Sequence, residues 1–152
     1  MATHLIDVGN NTVLGPTILP QALATTGSPV NGAAIDCVSV TGPISALFTG
    51  GVFTSPGTLD IKLQEAKEDP ATLGSPLSSD WSDITGATFT QVVASSGGQW
   101  ILVTNAKKRF VRAVATIVGT SASVLGAVYL MGQKKIVGTA AGAGGYSTSP
   151  QS

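Results

Sequence analysis

The chain has 152 residues with eight basic and eight acidic side chains, a formal net charge of zero, 11% charged residues and 43% hydrophobic ones. Soluble domains typically carry about 25% charged residues and avoid a net charge of zero, so a free-standing, strongly solvated protein is disfavoured and an assembly that covers the surface is expected. A single cysteine excludes an intrachain disulfide and a cysteine-cluster metal site, and the single histidine, His4 in a loose N-terminus, means that Ser-His-Asp or Cys-His catalysis would have to recruit an unanchored residue.

Residues 1–31 read as an extended N-terminal arm. "MATHLIDVGNN" has no basic stretch followed by an apolar one, so synthesis in a cytoplasm without a secretory signal is expected. "GPTILPQALATTGSPVNG" holds three prolines and no sustained period of 3.6 or 2. Leu14, Ile18, Leu19 and Leu23 give this arm an apolar side that needs a surface, either its own domain or a neighbouring subunit. These four are the candidate contact residues within it.

From Gly32 the pattern changes to short β-rich runs punctuated by Gly, Pro, Ser and Asp. Strands are expected over 33–41, 44–53, 58–65, 89–93, 100–104, 109–118 and 122–131. The reading is all-β: an antiparallel β-sandwich or jelly-roll-like single domain over 32–135, preceded by the arm and followed by a flexible Gly/Ala/Ser-rich tail over 136–152. Cys37, within "AAIDCVSV", reads as an inert buried thiol.

"TLDIKLQE" alternates cleanly, with Leu59, Ile61 and Leu63 on one face and Asp60, Lys62 and Gln64 on the other. "FVRAVATIV" and "SVLGAVYLM" are apolar on both faces, the mark of central strands. The "GTSA" between them reads as the loop of a hairpin. The apolar run 122–132 is far shorter than the ~20 residues of a spanning helix, and no membrane partner is expected.

Five of the eight acids, Glu65, Glu68, Asp69, Asp80 and Asp83, fall in 65–83. This stretch reads as a long exposed loop neutralised by nearby basic residues, with "DWSDI" as a short edge strand placing Trp81 and Asp83 on one face. It lacks the EF-hand spacing, and 5% aromatic content argues against a sugar cleft. No metal or cofactor is expected.

"NAKKRFVRAVATI" carries Lys107, Lys108, Arg109 and Arg112, which would form a stripe with Lys134 and Lys135 if the two strands pair. The absent net positive charge argues against nucleic acid as a partner, and favours a strand rim paired with the acidic loop. Arg112, flanked by Phe110, Val111, Ala113 and Val114, needs a carboxylate or carbonyl oxygens at a sheet face or subunit contact. Arg109 and Arg112 complete the candidate contacts.

"GTLDIKLQEAKED", a tryptophan followed by "SDITGA", and "NAKKRFVRAVATIVGTSASVLGAVYLMGQ" together resemble small β-sandwich structural proteins of tailed bacteriophages. The resemblance covers about 30–135 and is strongest at 108–115. Phe110 stands where that pattern has Tyr, and "PATLGSPLSSD" lengthens the acidic loop. The resemblance implies a non-enzymatic capsid decoration or cement protein, or a minor head protein, on the outer surface of the virion. It implies the major capsid protein as partner and a homotrimer seated where capsomers meet; the apolar, proline-bearing arm, which lies outside the resemblance, is expected from its own residues to be the capsid or inter-subunit clamp. The alternatives are a head-completion, neck or tail component, and a carbohydrate-binding β-sandwich module.

Overall fold

The computed structural model describes residues 12–23, 29–50, 57–93, 98–119 and 124–134. They hold β1 (Thr12–Leu23), β2 (Val30–Asn31), β3 (Ile35–Asp36), β4 (Val40–Gly50), β5 (Gly57–Ala66), β6 (Glu68–Asp69), β7 (Thr72–Pro76), β8 (Ser82–Thr88), β9 (Val92–Val93), β10 (Gly98–Thr104), β11 (Phe110–Gly119) and β12 (Val124–Lys134). Among the described residues there is no helix.

Sheet A runs β1-β12-β4-β10, and sheet B runs β2-β11-β5-β8 with β3 also on β11 and β9 also on β5. With β2/β3 and β8/β9 each taken as one broken edge, and the small β6–β7 hairpin set aside, the chain is a ribbon folded back on itself. β1 pairs with β12, β2/β3 with β11, β4 with β10 and β5 with β8/β9, all antiparallel. Successive pairs alternate between the sheets. The fold is therefore an all-β antiparallel sandwich with jelly-roll connectivity.

That alternation corrects the expected hairpin, because β11 lies in sheet B and β12 in sheet A. Both strands are apolar on two faces because each is central in its own sheet, not because they pair with one another. Lys134 consequently pairs its backbone with Val40 in sheet A. The basic stripe across two neighbouring strands does not form.

The expected separate arm is also narrowed. Thr12–Leu23 is a strand of the sandwich, the edge of sheet A, with register shifts between Pro16 and Ile18 and between Ile18 and Gln21. Prolines lack the N–H that a central strand would need, so an irregular edge is where a strand carrying Pro16 and Pro20 fits. Residues 1–11, 24–28 and 135–152, and with them the whole of the expected tail and the start of the arm, lie outside the described residues.

Sequence boundaries at 41 and 44 divided what is one strand. β4 passes through a bulge at Gly42 and Pro43, where Gly42 adopts φ 76° and the pairing with β12 skips from Ile44 to Thr41. Proline costs no ladder bond at an unpaired bulge position. Upstream, most of 33–41 is not strand: Asp36 accepts a bond from the Val38 amide (3.0 Å) and the Val40 amide bonds Cys37 O (3.0 Å), which turns the chain into β4.

The core fills the space between the sheets. Leu59, Ile61 and Leu63 of β5, Val111, Ala113, Ala115 and Ile117 of β11, and Ile44, Ala46 and Phe48 of β4 are buried together there. The alternation read in "TLDIKLQE" is the observed one. Phe48 meets Phe89 edge-on, with ring centroids 6.3 Å apart. A Cβ at Gly50 would sit 2.4 Å from the Phe48 ring, so the ring occupies the space that this glycine leaves.

Candidate functional site: the charged end of the sandwich

One end of the sandwich gathers the turn from β3 to β4, the excursion from β5 through β6 and β7 to β8, and the link from β10 to β11. Most of the described ionic groups meet there. Their arrangement follows from where each strand ends.

Arg109 directly precedes β11, whose first residue, Phe110, pairs with Asp36 on one side and Ala66 on the other. Its guanidinium forks onto Asp36, with Nε–Oδ1 2.9 Å and Nη2–Oδ2 2.7 Å, and Nη1 reaches Glu68 Oε1 at 2.5 Å. The guanidinium carbon also lies 5.2 Å from the Phe110 ring centroid. Only a planar fork bonds two carboxylates in this way, which explains arginine at this position. The hydrogen bond from Arg109 holds the Asp36 carboxyl below its ordinary range, and the same bond raises the guanidinium further above neutrality.

Glu68 passes this restraint to the β6–β7 hairpin, because its Oε1 also accepts the Gly74 amide at 2.6 Å. Asp69 accepts the Ala71 amide at 2.9 Å, so two acids of the expected loop shape the hairpin from within. Gly74, with φ 81°, allows the tight approach. The stretch 65–83 is thus a braced projection, with Leu73 near its tip 80% exposed.

Glu65 continues the inward face of Leu59, Ile61 and Leu63 and is only 8% exposed. Its Oε2 accepts the main-chain amides of Lys107 (2.6 Å) and Lys108 (3.2 Å), which fixes the path of the chain into β11. A carboxylate at a buried position needs such donors. Lys108 in turn reaches Asp80 Oδ2 (3.0 Å), Asp80 O (3.1 Å) and Ser82 Oγ (2.9 Å). The Lys67 amide, with Lys108 second, pulls the Asp80 carboxyl below its usual range.

On the outer face of sheet B a ladder crosses three strands. Arg112 donates to Gln64 Oε1 from Nε (3.1 Å) and Nη2 (2.9 Å), Gln64 Nε2 donates to Asp83 Oδ1 (2.8 Å), and Lys62 bonds Asp83 Oδ2 (2.7 Å). The Arg112 guanidinium lies 4.1 Å from the centroid of the Trp81 ring. Trp81 and Asp83 do share one face, and one side of that indole is occupied by a cation from its own chain.

These contacts place the sequence-derived candidates. Arg109 and Arg112 find their partners within their own subunit. Ile18 is 1% exposed and belongs to the core, so it is corrected from contact to packing residue. Leu19, next to it, is 63% exposed. Leu14 and Leu23 pair their backbones with Met131 and Val124 of β12, and their side chains fall outside the described residues.

Sequence reasoning missed Thr17. Its residue is the irregular one of β1, is 3% exposed, and its hydroxyl donates to Ala33 O (2.7 Å) while accepting the Ala113 amide of β11 (3.0 Å). A side chain from sheet A thereby completes the backbone of sheet B. Gly32 makes room, since a Cβ there would lie 2.4 Å from Thr17 Oγ1. Glu65 carried a readable signal, being an acid in phase with three core residues. Asp36 carried none, lying 73 positions from Arg109.

Chemically, this end is a brace. Cys37 is half-buried, its thiol pushed up to about 11 chiefly by burial. A cavity of about 10 Å³ beside it, lined by Ile35, Val40, Ile44 and Leu130 among others, has room for about one water. Among the described residues, no three His, Cys, Asp or Glu are grouped to hold a metal ion, and no buried side-chain polar atom lacks a partner. No family model matches the chain, and neither a curated protein nor a solved structure matches it.

Proposed function

We propose that this chain is a non-enzymatic structural protein of a tailed-phage virion, a decoration or cement subunit that seats on the outer capsid surface against the major capsid protein and assembles as a homo-oligomer. The observation that carries the reading is how charge is distributed. Arg109, Lys108, Lys62 and the acids they meet are spent on one another, while Leu19, Val38, Leu73, Val103 and Val118 stand exposed. A surface of that kind favours burial against neighbours over solvation.

The braced β6–β7 hairpin supports the same reading. Its hydrogen bonds are made before any partner arrives, so ordering costs little on binding. The jelly-roll fold is compatible with such a role and with many others, and does not decide it.

Particles purified from infected cells test the proposal. A cement subunit co-purifies at a copy number on the order of hundreds per particle, whereas a neck or head-completion ring gives about a dozen. Absence from purified particles overturns the reading. Retention of the free protein on a glycan array, lost in Trp81→Ala, would favour the carbohydrate-binding alternative.

A further inference from the structure

The described sheet edges differ sharply in how well they are protected against pairing with other strands. β1 carries two prolines and two register shifts, and Thr17 ties it to Ala33 and Ala113. β2, β3 and β9 are two residues long. β8 has a register shift opposite Lys62 and Gln64, Gly86 at φ 76°, and the charge of Asp83. Bulges, prolines, short strands and edge charges are the devices that keep a sheet edge from pairing.

β10 has none of them. Gly98–Thr104, "GQWILVT", pairs with β4 in unbroken register over all seven residues, from Gly98↔Gly50 to Thr104↔Ile44. It carries no charge and no proline, and Val103 is 60% exposed. β8 comes near β10 at the corner of the sandwich, but among the described residues no strand pairs with its outer side.

We propose that β10 is a self-association edge, occupied by β10 of a second copy in antiparallel register, which joins two four-stranded A sheets into one continuous sheet across a two-fold axis. Identity of the partner follows from charge. An antiparallel two-fold seam brings two copies of the same short strand together, so any net charge on the strand faces its own sign; an uncharged strand on a chain of zero net charge meets itself without that cost. Backbone groups of β10 that no described strand takes up supply the hydrogen bonds, and exposed Val103 adds apolar contact along the seam. This pairing concerns the free protein and stands independently of any virion role.

Sedimentation of the purified protein over a range of concentrations tests it. The wild type should contain a two-copy species, and Val103→Lys should weaken association by about tenfold or more with an unchanged melting temperature. Val38→Lys, at an equally exposed valine in the β3–β4 turn, should leave association intact. Hydrogen exchange on the wild type removes dependence on the variant: alternate amides of β10 should be protected at high concentration and lose that protection on dilution.

A wild type that is monomeric throughout overturns the proposal. So does a two- or three-copy species that survives Val103→Lys, or β10 protection that is independent of concentration, which would mean that the chain covers this edge itself.

Discussion

Asp36 and Arg109 lie 73 positions apart and are joined by two parallel hydrogen bonds of 2.9 and 2.7 Å, while a third guanidinium nitrogen holds Glu68. The turn into β4, the start of β11 and the β6–β7 hairpin are thereby held by one side chain. Arg109→Lys keeps the charge but not the fork, and should lower the melting temperature less than Arg109→Ala does. Limited proteolysis should show the difference locally, with cleavage near Leu73 rising in Arg109→Ala.

Acid should loosen the same end. Asp36, held down chiefly by its hydrogen bond from Arg109, Asp80, chiefly by the Lys67 amide, and Asp83, chiefly by Lys62, all lie below the ordinary value of 3.8 in the folded chain. A depressed carboxyl contributes stability that is fully present above its unfolded value and lost as pH falls through the folded one. The melting temperature should therefore change little between about pH 7 and pH 5 through these groups and drop below about pH 4. Arg109→Ala should make that drop shallower, because Asp36 then titrates nearly alike in both states.

Thr17→Val preserves shape and removes the hydroxyl. It leaves the Ala113 amide and the Ala33 carbonyl without their partner. The cost should be about 1–3 kcal/mol by chemical denaturation, the penalty of an unsatisfied buried group. Thr17→Ser should recover most of it, which a purely steric role for the methyl would not give.

Cys37 should react slowly with iodoacetamide at about pH 8 in the folded chain, because the thiolate is the reactive form and its thiol is pushed up to about 11. Labelling in urea should be much faster. Equal rates in both states would remove burial as the cause.

Leu73→Asp tests the projecting hairpin. Leu73 is 80% exposed, so folding stability should change by no more than about 0.5 kcal/mol. Under the virion reading, binding of the added protein to particles that lack it should weaken measurably. Unchanged binding would exclude the hairpin tip from the contact.

Parts of the structure readable from the sequence were those in which a strand reports its own surroundings. Leu59, Ile61 and Leu63 announce a core face by alternation, and "FVRAVATIV" announces a central strand by lacking it. What escaped depended on pairs distant in the chain. Whether β11 turns back on β12 or crosses to the other sheet is not written in "GTSA", since both strands need two covered faces either way. Thr17 looked like an arm residue between prolines because the partner that buries it, Ala113, lies in the opposite sheet. The basic and acidic stretches were rightly matched by charge, but the partner of Arg109 with the best geometry, Asp36, came from neither.

The pairing of β1 with β12 also sets an order of events during synthesis. Each strand of the ribbon finds its mate progressively later, so β5 and β8 can close while the ribosome is still working, whereas β1 must wait until residues up to 134 have emerged. Until then its prolines, unsuited to a central strand, discourage pairing with whatever nascent edge is at hand. Completion of sheet A therefore waits for β12 and is governed by long-range contacts, on the roughly millisecond-to-second scale of β-rich domains.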